Sequence, residues 1–156
     1  MTDDLAQILD AYRWEPATAS ARSLYEQDAD RKDFCSGSSV ANTYGPLLHF
    51  TSRAALDQIK RTGRLGVPAC HLTPTAYSSW QASRELGLPD LYDRCLLVNV
   101  STVPRLWGPG RAAPSRLVPG WVGGGLEFFV PEPISWDFVQ QVFECGFGRE
   151  HRRIDV

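Results

Sequence analysis

The sequence has little that would suit a membrane span or a secretory leader. Its 156 residues contain no apolar run near the ~18 to 20 residues that cross a bilayer. The opening "MTDDLAQILDAY" is acidic and lacks the long apolar core of a signal peptide. These absences predict a soluble protein that acts in the cytoplasm without a membrane partner, or a piece of a larger delivered protein.

Cysteine pairs that would hold a metal are also missing. None of the four cysteines belongs to a C-x-x-C pair, and no two have the spacing of a zinc finger, so no metal site is expected. Disulfides are possible but not implied by the pattern. Cys95 opens the apolar run "CLLVNV" and is expected to be a buried thiol.

Excess charge of one sign is absent as well. The formal net charge is −2, which gives no reason to expect bulk electrostatic binding to nucleic acid. Apolar residues make up 43% of the chain, an ordinary globular composition. Length and composition together predict one compact domain with a hydrophobic core.

Helical patterns dominate the N-terminal quarter. Leu5, Ile8, Leu9 and Tyr12 recur at the spacing of an amphipathic helix, and "ASARSLYEQDADRK" predicts a weaker second helix. "CSGSSVANTYG" then breaks the pattern with small and turn-forming residues. The sequence therefore predicts an N-terminal helical arm over residues 1–40, a linker, and a single compact domain over residues 41–156.

Strands and helices alternate in the remaining chain. Strands are predicted in "PLLHFTS", "ACHLT", "RCLLVNVS", "LEFFVP" and "FVQQVFECG". "SRAALDQIKRTG" predicts a helix capped by Thr51 or Ser52, and "TPTAYSSWQASRELG" one capped by Thr73. Residues 103–125, rich in proline and glycine, predict a long irregular loop, and the tail "REHRRIDV" a solvated end. This order predicts an α+β fold with a mostly antiparallel or split sheet.

Two polar residues interrupt apolar strands. In "GGGLEFFV", Glu127 is either a water-facing residue of an edge strand or a carboxylate that points into a cleft. The preceding glycines would allow close backbone approach or movement of the loop. His49 in "LLHFTS" is either a hydrogen-bonded core residue or part of a site.

The order of these segments resembles the ADP-ribosyltransferase superfamily. "LLHFTSRAALDQIKRTGRL" is similar to that family's histidine-bearing first strand and the helix after it, and "LEFF" to its late strand with a glutamate beside aromatics. The branch it resembles includes diphtheria-type toxins, poly-ADP-ribose polymerases and small bacterial effector domains. The resemblance covers about residues 46 to 134. It implies a split antiparallel sheet flanked by helices, NAD as substrate and no metal.

The resemblance also implies roles for individual residues. Glu127 would accept a hydrogen bond from the ribose 2′-hydroxyl and stabilise the cation that forms as nicotinamide leaves. His49 would hydrogen-bond a ribose hydroxyl. The backbone of Phe50 would clamp the nicotinamide amide. Thr51 would cap the helix and touch NAD.

Departures from the family pattern affect the nicotinamide ring and the acceptor. The family often stacks two tyrosines on the ring, but His71 fills the first position and the second falls near Ala82. Tyr77 and Trp80 are nearby aromatics that either replace them or pack in the core. The arginine-specific branch carries Gln or Glu where Gly125 stands, which disfavours arginine as acceptor.

Three functions remain open at this point. The resemblance favours a toxin-like mono-ADP-ribosyltransferase that modifies a macromolecule, with a protein as the expected acceptor and an immunity protein as a conceivable partner. An NAD glycohydrolase would use the same residues with water as acceptor. A non-catalytic binding module would keep the fold alone. Trp107 and Trp121 could form a target-recognition patch or attach the long loop to the core.

Overall fold

The computed structural model describes residues 34–66, 70–115, 117–130, 132–146 and 151–154. The helices predicted within the arm lie outside these ranges. The described residues form helices and antiparallel sheets, which confirms the predicted α+β class. No helix among them is both long and apolar enough to cross a membrane.

Eight strands form two antiparallel sheets of four strands each. The first sheet has the order β1-β6-β7-β4, with strands Phe34–Cys35, Leu106–Arg111, Leu126–Val130 and Cys70–Leu72. The second has the order β10-β9-β5-β2, with strands His151–Ile154, Val139–Cys145, Arg94–Val98 and Leu47–Thr51. A small third pair joins β3, Arg64–Leu65, to β8, Ile134–Ser135.

Three helices begin and end at the residues that their sequences favour. They are α1 (Gly37–Tyr44), α2 (Arg53–Thr62) and α3 (Ser79–Leu86), with a short 3-10 helix at Trp136–Phe138. The Ser52 hydroxyl accepts a hydrogen bond from the third residue of α2, and Gly63 ends that helix in the left-handed conformation. Ser78 caps α3 in the same way and forms a reciprocal capping box with Gln81.

Four sequence predictions need correction. The "linker" is mostly helix α1, because Ser36 supplies an N-cap that the small residues around it obscured. Helix α3 begins at Ser79, not near Thr73, which instead bridges the two sheets. Residues 103–125 contain strand β6, and the tail contributes strand β10 to the second sheet. Strand β6 was not predicted because its sequence contains proline and glycine, and strand β10 was not predicted because the tail is rich in charged residues.

One continuous cluster of buried side chains connects the sheets and helices. Strand β5 lies between β9 and β2 and is buried along Cys95–Val98, as predicted for a central strand. The cluster takes side chains from all three helices and both sheets, including Val40, Leu56, Ala82, Leu96 and Phe128. Both sheets therefore belong to one packed body.

In the described ranges, one backbone bridge connects the two sheets. Leu48 on β2 and Thr73 just after β4 exchange two backbone hydrogen bonds of 2.8 Å each. If this antiparallel register continued, Phe50 would lie opposite His71. The His71 carbonyl instead accepts a hydrogen bond from His49 Nδ1 at 2.7 Å, and the strands diverge. The resulting gap opens a cleft between the two sheets.

Candidate functional site

A cleft of about 660 Å³ opens where the sheets diverge. That volume is within the usual range for a small-molecule site. Its floor and walls come from β2, β4, β7 and the segments around residues 86–92 and 113–115, with Leu117. Four predicted site residues line it together: His49, Phe50, His71 and Glu127.

Glu127 lies on an interior strand of the first sheet. Strand β7 pairs with β6 on one side and β4 on the other, so the edge-strand interpretation of Glu127 is wrong. Phe128 and Val130 point to the buried face, and Glu127 points to the opposite face, where 22% of its side chain is exposed. Its ladder partner on β6 is Gly110, which has no side chain. The carboxylate is therefore reachable from the cleft.

His71 and Glu127 form an imidazole–carboxylate pair that the sequence did not predict. His71 Nδ1 lies 3.5 Å from Glu127 Oε2 across the β4–β7 ladder. The hydrogen bond to Glu127 raises the pKa of His71, against an opposing effect of partial burial. The His71 ring also packs against Phe129, with 5.8 Å between ring centroids. This pair depends on strand register, which no local pattern in the sequence reveals.

His49 is held in its neutral form. Burial lowers its pKa, although the hydrogen bond to the His71 carbonyl partly opposes that effect. Because a carbonyl oxygen only accepts, His49 Nδ1 carries the proton and Nε2 keeps a lone pair. The neighbouring Cys70 thiol is also neutral, since burial raises its pKa to about 12. The Nε2 atom of His49 can therefore accept a hydrogen bond from a ligand hydroxyl.

Phe50 presents backbone amide groups to the cleft. Successive residues of a strand point their N–H and C=O groups to opposite edges. Since Leu48 bonds to Thr73, the amide groups of Phe50 point toward the same edge, away from β5. In the described part of the chain no ladder partner meets them there. The Phe50 side chain is buried, so its backbone is the part available to a ligand.

Three predicted residues do not line the cleft. Thr51 is buried, and the cap of helix α2 that the resemblance assigned to Thr51 is supplied by Ser52. The Tyr77 ring packs against Phe50, with 6.4 Å between centroids. Trp80 meets Trp121 edge-on at 6.0 Å on the surface of α3. The structure therefore gives none of the three a place against a ligand in this cleft.

Several residues that line the cleft were not predicted from the sequence. Tyr92 lines the apolar side with Leu86, Leu88 and Pro114. Burial raises the pKa of its phenol, and Asp90 adds to that effect, so the ring stays neutral. Its aromatic ring inside the loop "PDLYD" was the available clue. Nothing local marks the other residues, because they meet only through the fold.

Backbone contacts hold the glycine-rich segment, residues 120–125, against helix α3. Gly123 and Gly125 donate N–H groups to the carbonyls of Arg84 and Glu85 at 2.9 and 2.8 Å. A Cβ on Gly125 would come within 2.8 Å of the Glu85 carbonyl oxygen. Trp121 is buried in the same segment and attaches it to Trp80. The glycines therefore serve close backbone approach, and Trp121 serves attachment.

The chemistry of the cleft is that of a carboxylate, two imidazoles and open backbone amides. In the described ranges no group of three or more His, Cys, Asp or Glu side chains is arranged to hold a metal ion. No protein-family model, curated protein or solved structure matches the chain.

Proposed function

We propose that the protein binds NAD in this cleft and transfers its ADP-ribose to a macromolecular acceptor. The observation that carries the proposal is the meeting of His49 and Glu127, from different sheets, in one cleft of suitable volume. They are separated by 78 positions in the sequence, yet both line the same cleft. Functional groups that converge in a cleft are the usual mark of an active site.

Glu127 suits cleavage of the bond between nicotinamide and ribose. That bond breaks with positive charge developing on the ribose ring, and a fixed carboxylate stabilises such charge. Nicotinamide leaves with the bonding electron pair. His49, neutral with a free Nε2 lone pair, would accept a hydrogen bond from a ribose hydroxyl.

The open backbone edge of Phe50 suits the nicotinamide carboxamide. A primary amide offers one acceptor and two donors, which match an unpaired strand N–H and C=O. The opposite, largely apolar side of the cleft contains Leu86, Leu88, Tyr92 and Pro114. Adenine is flat and weakly polar, and it would bury favourably on that side.

Replacement of Glu127 by glutamine tests this proposal. Glu127→Gln keeps the shape of the side chain and removes its charge, so we expect NAD cleavage to fall by about 10²-fold or more. Nicotinamide release measures the rate. Glu132→Gln is the matched control, because Glu132 is exposed after β7 and does not line the cleft. Unchanged cleavage by Glu127→Gln would contradict the role of the carboxylate.

The wild-type products separate the remaining functions. Labelled ADP-ribose on a macromolecule in cell extract supports transfer, whereas free ADP-ribose alone would identify an NAD glycohydrolase. Absence of any NAD cleavage by the wild type would overturn the proposal and favour a binding module.

A further inference from the structure

A feature of the cleft remains unused by the proposed NAD cleavage. The His71 side chain is 61% exposed and that of Glu127 is 22% exposed, so the imidazole is the more accessible member of the pair. Its Nδ1 faces Glu127 Oε2, and in the described part of the chain no hydrogen bond reaches its Nε2. An imidazole that only stabilises the fold is usually buried together with its carboxylate partner. The His71 ring is instead exposed, so an incoming molecule can contact it.

We propose that His71, oriented by Glu127, is the general base that activates the acceptor, and that the acceptor atom is a hydroxyl oxygen. This inference rests on the proposed NAD cleavage. Glu127 would hold the Nδ1–H of His71 through Oε2 and leave Oε1 for the ribose. Long hydrogen bonds of this kind commonly tighten when substrate binds. The free Nε2 then faces whatever enters from solvent.

The proposed step balances in atoms and charge. The bond from ribose C1′ to the nicotinamide nitrogen breaks, and neutral nicotinamide leaves with the electron pair. The acceptor oxygen forms a bond to C1′ and passes its proton to His71 Nε2. The imidazolium formed next to Glu127 is stabilised by the carboxylate and later releases the proton to solvent. Water is the smallest acceptor of this class.

The charges around His71 favour a neutral acceptor. Glu127 on β7 and His49 on β2 are the titratable groups that act on His71 across strands, and His49 is neutral. Cys70, on the same strand as His71, is a neutral thiol. Among the described residues that line the cleft, Glu127 is the one carboxylate. A cationic acceptor would need a further carboxylate to replace its lost hydration, whereas a hydroxyl does not.

Protonation of His71 gives the proposal a signature in pH. A general base must be neutral, and Glu127 raises the pKa of His71 above its ordinary 6.5. The rate of transfer or hydrolysis should therefore rise with pH through a value above 6.5. A variant without His71 should lose that rise.

Azide as an alternative acceptor provides the decisive test, because the azide anion has no proton to lose. We expect His71→Ala to slow transfer and hydrolysis by about 10²–10⁴-fold. Azide should restore NAD cleavage in this variant and yield ADP-ribosyl azide. Azide should not restore cleavage in Glu127→Gln, where the developing cation is unsupported. His71→Tyr keeps an aromatic ring without the imidazole and should behave like His71→Ala.

Each contrary outcome points to a different failure. Wild-type protein that does not cleave NAD overturns the proposed function and this inference with it. If the wild type cleaves NAD and His71→Tyr matches its rate and pH profile, His71 only stacks on the ligand and this inference alone fails. Loss of activity in His71→Ala without recovery by azide would make His71 a positioning residue for Glu127. Circular dichroism of each variant confirms that it is folded.

Discussion

At the scale of single residues, the two cleft histidines respond to pH in opposite directions. Burial lowers the pKa of His49, whereas Glu127 raises that of His71. The neutral form of His49 is thus favoured by folding, and the charged form of His71 is favoured by folding. The neutral His49 suits a hydrogen-bond acceptor, and His71, with its pKa raised above the ordinary 6.5 by Glu127, suits a group that takes up and releases a proton.

The lowered pKa of His49 predicts a loss of stability in acid. As pH falls below the ordinary value of 6.5, the unfolded chain takes up this proton before the folded chain does. The free energy of unfolding of the wild type should therefore decrease with falling pH more steeply than that of His49→Asn. Urea unfolding between pH 8 and pH 5 measures both curves.

Asparagine is chosen because its side-chain N–H₂ group can replace the Nδ1 donor to the His71 carbonyl. His71 is present in both proteins, so its opposite contribution cancels in the difference. Parallel curves for the two proteins would show that His49 does not resist protonation in the folded state.

Sequence reasoning found part of the site at this scale. His49 and Glu127 could be predicted because each is a polar residue inside an apolar strand, which is costly unless it serves a purpose. The partnership of His71 with Glu127 could not, because it depends on which residues of β4 and β7 face each other. The backbone role of Phe50 came from the family resemblance alone, because no local pattern shows that its amide edge is left open where β2 and β4 diverge.

At the scale of elements, the glycine-rich segment shapes one wall of the cleft. It donates backbone hydrogen bonds to the C-terminal part of α3, and residues 113–115 of the same loop line the cleft. Gly123 has φ +70° and lies so close to residues 112 and 113 that a Cβ would meet the Ala112 carbonyl oxygen at 2.5 Å. Gly124 has φ +92° and open space around it.

Alanine at these two glycines should separate backbone strain from close packing. Gly124→Ala should cost about 1–2 kcal/mol, the usual penalty of a positive φ with a side chain. Gly123→Ala should cost a further ~1–3 kcal/mol because neighbouring backbone has to move. Gly123→Ala should also raise the KM for NAD, because the added Cβ displaces residues 112 and 113 next to the cleft. Urea unfolding and initial rates measure the two effects, and equal losses in both variants would refute the close-packing role.

Local signals explain which elements sequence reasoning recovered. Strand β2 and helix α2 were predicted because an apolar run leads into a serine cap and a C-terminal glycine. Strand β6 was missed because its sequence "LWGPGR" carries residues that disfavour strands and contains a register shift. The start of α3 was misplaced because Thr73-Pro74 imitates a helix start, whereas the Thr73 hydroxyl donates to the Leu126 carbonyl.

At the scale of the whole molecule, the proposed site lies across the junction of the two sheets. His49 and Phe50 belong to one sheet, His71 and Glu127 to the other, and Leu48 with Thr73 forms the bridge between them. A ligand that contacts both sides adds to the free energy needed to separate the sheets. Binding should therefore be visible as stability, independent of catalysis.

A non-cleavable NAD analogue should stabilise the wild-type protein. At about 100 times its dissociation constant, it should raise the free energy of unfolding by about 2.7 kcal/mol. Hydrogen exchange at the amides of Leu48 and Thr73 should slow, since these bonds join the sheets. ATP at the same concentration controls for ionic effects. An unfolding midpoint that the analogue leaves unchanged would contradict binding at this junction.

The pairing of Glu127 with Gly110 has a consequence for what the cleft distinguishes. A sheet surface is a grid of side chains, and the grid point beside the carboxylate on β6 is vacant. Directly beside Glu127, a ligand would therefore meet the His71 imidazole on the β4 side and the peptide groups of Gly110 on the β6 side, whereas Trp107 on β6 packs against Phe129. At residue 110, the space available to a ligand, and not the chemistry of a side chain, determines which ligands fit beside Glu127. A side chain added at residue 110 would stand next to Glu127 on the sheet surface and reduce the space beside the carboxylate.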